Sequence, residues 1–291
     1  QEADGNTNNA NTNNANTNTN DDAANVIKLD QLQRRVDDLD AKVRAHKTQP
    51  GVLMERDPTG LKLTKELQHV THQLLVARYG HGRHPTTGGF RVQVDFIFPK
   101  SIPDDPADEL EQQQQQHGRQ RRQQQIVIEM GPIDLIPCSV YNFLEIARTW
   151  KPTGGAVHRN AHHVLQVQSS SEVRKSMPFQ EYSPEYPHQK GTTGYAGRPS
   201  GPGWYISIQD NTQNHGPGSQ QKHNPYEADS LFGRVIQGFD DVVPRIHSVP
   251  QMGWLDKNNQ IAIPKMTILI QMPNNDKSNN EPHEWIPWTP P

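Results

Sequence analysis

Four stretches decide the fold: Ile136 to Ala147, IPCSVYNFLEIA; Gly154 to Asn160, GGAVHRN; Gly191 to Asn211, GTTGYAGRPSGPGWYISIQDN; and Glu227 to Val242, EADSLFGRVIQGFDDV. In the first, Val140, Phe143, Leu144 and Ala147 recur at three- and four-residue steps, which is the spacing of one helix face. In the other three, Ala156 to Gln168, Trp204 to Ile208 and Gly233 to Gly238 are expected to be strand, with Val157, Val164 and Leu165 available to a core. Upstream, Phe90, Val92, Val94 and Phe96 alternate with Arg91, Gln93 and Asp95, the period of a half-buried strand, and Ile126 to Met130 supplies a partner. Downstream, Asp240 to Ile246 reads as a short helix and Ile261 to Met272 as a last strand. The polar, Gln-rich segment Asp104 to Gln125 has strand-like runs on both sides, so it is expected to be a solvated loop inserted between two strands.

Composition bounds the rest. The chain has 291 residues, 24 prolines and 32% hydrophobic residues, and its mean hydropathy is -0.89. That permits one sizeable core with much solvated chain around it. A net charge of -3 gives no basis for steering toward nucleic acid, so no nucleic-acid partner is expected. The single cysteine, Cys138, excludes an internal disulfide framework and a multi-cysteine zinc site, and reads as a packed small hydrophobe. No apolar run is long enough for a membrane span.

Residues 1–25 form an Asn/Thr/Ala tract with too few apolar side chains to offset the entropy of ordering, and disorder is expected there. In 26–46, Leu29, Leu32, Val36, Leu39 and Val43 make a seam of two to three heptads. Such a helix must bury that face, either on a second copy as a short coiled coil or on a helix of its own chain such as Leu61 to Tyr79. The expected organisation is a disordered segment 1–25, a helical stem 26–80, a domain 88–273 with an inserted loop 101–125, and a Pro/Trp tail 274–291 that either docks elsewhere or packs back. The first residue is Gln1, which reads as a removed leader, an upstream anchor or a shortened chain. A secreted or lumenal address is expected over a cytoplasmic one, although the sequence carries no Asn-x-Ser/Thr acceptor.

In order and spacing these pieces resemble the cyclophilins, the family of peptidyl-prolyl cis-trans isomerases, over about Gly88 to Pro273. The family's groove is built from an F-H-R run, a glycine-rich strand ending in Q-F-F-I, and an H-x-V-F-G-x-V segment. His158-Arg159 matches the first, Gly203-Trp204-Tyr205-Ile206 stands at the second and Asp229-Ser230-Leu231-Phe232-Gly233-Arg234-Val235 at the third. The resemblance implies a mainly β fold: a closed eight-stranded antiparallel barrel with two capping helices. It also implies isomerisation of X-Pro bonds in protein clients, with no cofactor. Arg159 would be the catalytic guanidinium and Tyr205 the floor of the proline pocket, while His158, Val164, Leu165, Gln166, Trp204, Leu231 and Phe232 would bind substrate. The chain departs from the family at Gly203, where the glutamine should be, at Asp229, where the histidine should be, and at Asn224 to Glu227, where Tyr226 only partly substitutes for a tryptophan. Gln209 is a candidate replacement for the glutamine.

The chemistry required is modest. Amide resonance opposes rotation with a barrier of about 18 to 20 kcal/mol, so a catalyst need only stabilise the twisted amide. A guanidinium aimed at the prolyl nitrogen, which gains a lone pair as conjugation is lost, does this best beside an apolar wall. Two classes of function stay open: an isomerase weakened by its groove substitutions, and a catalytically inactive module that binds proline-containing peptides. His158, His162 and His163 lack the carboxylate or cysteine that would complete a metal set, so no metal is expected. The glycines from Gly194 to Gly203 precede no Gly-Lys-Ser/Thr and form no phosphate loop.

Overall fold

The computed structural model describes residues 16–46, 57–79, 89–99, 102, 124–169, 176–197, 201–219, 228–271 and 285–289. Most of the inserted loop 101–125 and of the Asn/Thr tract lies outside them, as does Tyr226. Five helices are described: α1 (Asn16–Ala45), α2 (Pro58–Tyr79), α3 (Pro137–Arg148), α4 (Thr212–His215) and α5 (Val242–His247). The strands are β1 (Phe90–Ile97), β2 (Gln124–Met130), β3 (Gly155–Asn160), β4 (Val164–Ser169), β5 (Thr192–Tyr195), β6 (Trp204–Ser207), β7 (Leu231–Gln237), β8 (Gly253–Trp254), β9 (Ile261–Gln271) and β10 (Trp285–Pro287). No described helix is long and apolar enough to cross a membrane.

The strand order β9-β1-β2-β7-β5-β6-β4-β3 closes on itself, because β3 pairs with β9 at Ala156↔Ala262 and Val157↔Ile261. Every pairing is antiparallel, so the result is a closed eight-stranded barrel with β8 and β10 appended, and closure leaves the eight strands without a free edge. The alternation in β1 is realised: Phe90, Val92, Val94 and Phe96 point inward and are buried. They meet Ile126, Ile128 and Met130 of β2, and the centre is filled by Phe143 stacked on Phe232 at 3.8 Å with Trp204 edge-on to Phe143 at 5.4 Å. Helix α3 covers one end of the barrel, and α5 contributes Val242, Val243 and Ile246 to the same core.

The start of α3 shows how the ends are fixed. Ile136 cannot cap a helix through its side chain, and Pro137 supplies no N–H. Glu181 takes the role from a distant loop: its carboxylate accepts from the backbone N–H of Ser139 at 2.6 Å and of Cys138 at 3.2 Å, and from Gln68 Nε2 of α2 at 2.9 Å. Three donors and a helix N-terminus offset the cost of burying that acid.

Helices α1 and α2 lie against the barrel. Val36, Leu39 and Val43 are buried in the common core with Leu67, Val70, Leu74 and Leu75 of α2, and Arg44 donates to the Ser176 carbonyl. The seam is thus covered within the chain, and the alternative of a homodimer through 26–46 receives no support. The tail also packs back: β10 pairs with β9, Arg91 lies 3.8 Å over the Trp285 ring and Trp288 meets Tyr79 at 4.9 Å.

Candidate functional site

Register places six residues from six adjoining strands in one transverse row. Leu231 lies near Gly194, Gly194 opposite Tyr205, Tyr205 opposite Gln166, Gln166 opposite Arg159, and Arg159 opposite Trp254. Cross-strand partners share a face of the sheet. The chain neighbours of Gln166, Tyr205 and Leu231, namely Leu165, Val167, Trp204, Ile206 and Phe232, belong to the barrel core, so the row lies on the outside.

Arg159 reaches that face through a β-bulge. Val157 is fully buried, and strict alternation would turn Arg159 inward as well. The pairing of β3 with β4 shifts between Val157 and Arg159, so His158 is the extra residue and Arg159 emerges beside Gln166. Its Nη1 donates to Gln166 Oε1 at 3.3 Å, and its guanidinium carbon lies 5.4 Å from the centre of the Trp254 ring. Among the described residues no carboxylate forms an ion pair with it.

Beside it lies a small apolar cluster. Tyr205 packs with Ala161 and Val164, all three buried, and Ala196 adjoins them, separate from the barrel interior. Close approach explains Gly194, where a Cβ would lie 2.7 Å from the Tyr205 hydroxyl and 3.0 Å from Leu231. Leu231 is therefore a neighbour of this cluster. Leu165, Trp204 and Phe232 are not part of it. They are fully buried inside the barrel and support the cluster from below, because each sits one step out of phase with the outward row.

Imidazoles flank this cluster. His215 of α4 stacks on Tyr205 at 4.7 Å and shares a 2.6 Å hydrogen bond between its Nδ1 and Asp229 Oδ2. His163 stacks on His215 at 5.4 Å, and His188 Nδ1 lies 3.4 Å from the Tyr205 hydroxyl. Where the family places a histidine, this chain has Asp229, which brings in His215 from another segment. Burial lowers the pKa of His158, and the adjacent Arg159 lowers it further. Burial does the same for His163, followed by His215, Arg159 and His162. No group of three His, Cys, Asp or Glu among the described residues is placed to hold a metal ion.

Sequence reading missed Trp254, His188 and His215. Trp254 sits in a two-residue strand and His215 in a single helical turn, both too short to carry a period, and no fixed spacing links His215 to Asp229. Asn160 was also unremarked. Its amide donates to the carbonyls of His247 at 3.1 Å and Gln251 at 3.3 Å, which ties the turn before β8 to β3.

An eight-stranded closure capped by α3 and α5 settles the architecture. The fold is the closed barrel with two capping helices that the resemblance to the cyclophilins implies. Solved structures similar to the chain include three cyclophilin structures. A cyclophilin-type peptidyl-prolyl cis-trans isomerase of Cryptosporidium parvum is 16% identical, with 62% of this chain and 97% of that one covered and a TM-score of 0.39. A second structure of that protein, in the presence of the dipeptide Ala-Pro, is 17% identical over 49% of this chain and 90% of that one, with a TM-score of 0.36. The Mimivirus cyclophilin is 15% identical over 69% of this chain and 100% of that one, with a TM-score of 0.40. No family model and no curated protein matches. At these identities and TM-scores the assignment rests on strand order and closure.

Proposed function

We propose that the outer row of this cyclophilin-like barrel binds X-Pro segments of protein clients and accelerates their cis-trans interconversion. The observation that supports this reading most is Arg159, turned out of the core by the bulge at His158 and held beside the Tyr205 cluster by an amide and an indole rather than by a carboxylate. A prolyl ring against Tyr205, Val164 and Ala161 would bring its nitrogen toward the guanidinium, which favours the twisted amide over either planar isomer. Gln166 both orients Arg159 and is the side chain nearest a bound backbone. His158, at the bulge, shapes the approach to the cluster without reaching the row. Gly203 offers no side chain where the family has a glutamine, so turnover well below that of a typical cyclophilin is expected.

Gly203 and Asp229 favour a second reading, in which the groove holds proline-containing peptides without accelerating their isomerisation. A protease-coupled assay on X-Pro peptides separates the two. A rate above the uncatalysed one that Arg159→Ala lowers by roughly a hundred- to a thousandfold supports catalysis. A parent rate equal to the uncatalysed one, with measurable peptide binding, leaves the binding module.

A further inference from the structure

We propose that Trp254 is a second client contact of the same groove: an aromatic shelf for an apolar side chain about four residues from the proline. The proposal rests on the reading of the row as an X-Pro site and deepens it to a preference in sequence and length. Trp254 is 64% exposed, the most exposed of the large apolar side chains described, and Met252 two residues before it is 47% exposed. An isolated exposed hydrophobe needs no explanation, but this one continues the row directly, in register with Arg159.

Its placement is built. Gly253 has φ +84°, a left-handed backbone that only glycine adopts without strain, and it turns the chain into β8. Leu255 N–H then bonds the His158 carbonyl at 2.8 Å, and Asn160 ties down the preceding turn at His247 and Gln251. The indole is held edge-on to His158 at 5.0 Å with the Arg159 guanidinium near its face, which leaves the rest of the ring open.

Distance then fixes the register of a client. Tyr205 and Trp254 are separated by three strand spacings, roughly 14 Å, and an extended peptide rises about 3.3 Å per residue, so the shelf lies about four residues from a proline seated on Tyr205. A short X-Pro peptide ends before reaching it. Longer segments with Leu or Phe at that distance cover the ring, and Trp254 discriminates among clients without touching the prolyl bond.

The test uses the full chain and three peptides with one X-Pro core: a tetrapeptide, and two longer peptides with either Phe or Gly four residues from the proline on each side. KM, kcat and calorimetric Kd are measured for the parent, Trp254→Ala and Trp254→Phe. The expected result is a preference of about tenfold for the Phe peptide over the Gly peptide in the parent, expressed in KM and Kd, abolished by Trp254→Ala and largely kept by Trp254→Phe. Because the indole also holds Arg159, a fall in kcat in Trp254→Ala is common to all three peptides, and the Phe-over-Gly ratio in Kd is what reads the shelf. The shelf is overturned if the parent shows no preference or if Trp254→Ala retains it. The groove reading survives each of those results; it falls, and the shelf with it, only if none of the peptides is bound or turned over.

Discussion

At the stem-facing end of the barrel, Glu145 accepts from Arg78 at 2.9 Å and from Arg148 at 2.7 Å, and Arg78 continues to Gln33 of α1 at 2.8 Å, which also accepts from the Tyr141 hydroxyl. On the groove face, Arg159 has, among the described residues, the Gln166 amide and the Trp254 ring as its partners. Both regions place arginines on partly buried surface. Where opposite charges are close and hydrogen-bonded, the group fixes architecture and has little left for a ligand. Where the cation has neutral partners, its field remains available to a dipole brought beside it. On the proposed reading, the difference separates a structural charge from one that acts on a client.

The largest effect on stability is expected at the first site. Replacing Glu145, whose side chain is only 8% exposed, with Ala leaves Arg78 and Arg148 facing each other without their acid. The expected cost is about 3 kcal/mol, with peptide turnover little changed, read by urea unfolding and by the isomerisation assay. A loss below about 0.5 kcal/mol, or a collapse of turnover in a folded variant, would break the contrast.

Glu181→Gln comes next. Burial pushes this carboxyl up, and the Gln68, Ser139 and Cys138 donors pull it back. An amide cannot accept from all three without turning its own N–H₂ toward a donor, so a loss of roughly 1 to 3 kcal/mol is expected. Equal stability of parent and variant would show that the α3 cap is supplied elsewhere.

Much of this was legible in the sequence. Period two placed β1, the apolar run from Ile126 placed its partner β2, and the three- and four-residue steps placed α3. The seam of α1 announced a buried face but not which face would cover it, since Leu67 and Leu74 of the same chain satisfy an apolar stripe as well as a second copy does. The closing pairing of β3 with β9 spans about a hundred residues and leaves no local trace. Strand β5 reads Thr-Thr-Gly-Tyr and is buried throughout, so it has no alternation to detect. The phase of the site was the hardest part. Leu165, Trp204 and Phe232 adjoin groove positions in sequence yet face inward, and the bulge that sends Arg159 outward appears only once the partner strand is in place.

A smaller effect concerns pH. Burial holds His158 and His163 below the usual imidazole value of 6.5. The folded protein therefore resists protonating them, the unfolded chain binds more protons as pH falls below about 6.5, and stability declines there. Melting temperatures from pH 8 to pH 5.5 should fall, and the His158→Gln, His163→Gln double variant should show a shallower slope. An unchanged slope would mean that neither ring is held neutral.

On the proposed reading Arg159 works on the client rather than on the fold. Turnover and melting temperature measured on one preparation of Arg159→Ala test this. The melting temperature should stay within a few degrees of the parent while the X-Pro isomerisation rate falls by roughly a hundred- to a thousandfold. A robust parent rate that the substitution leaves untouched would contradict it.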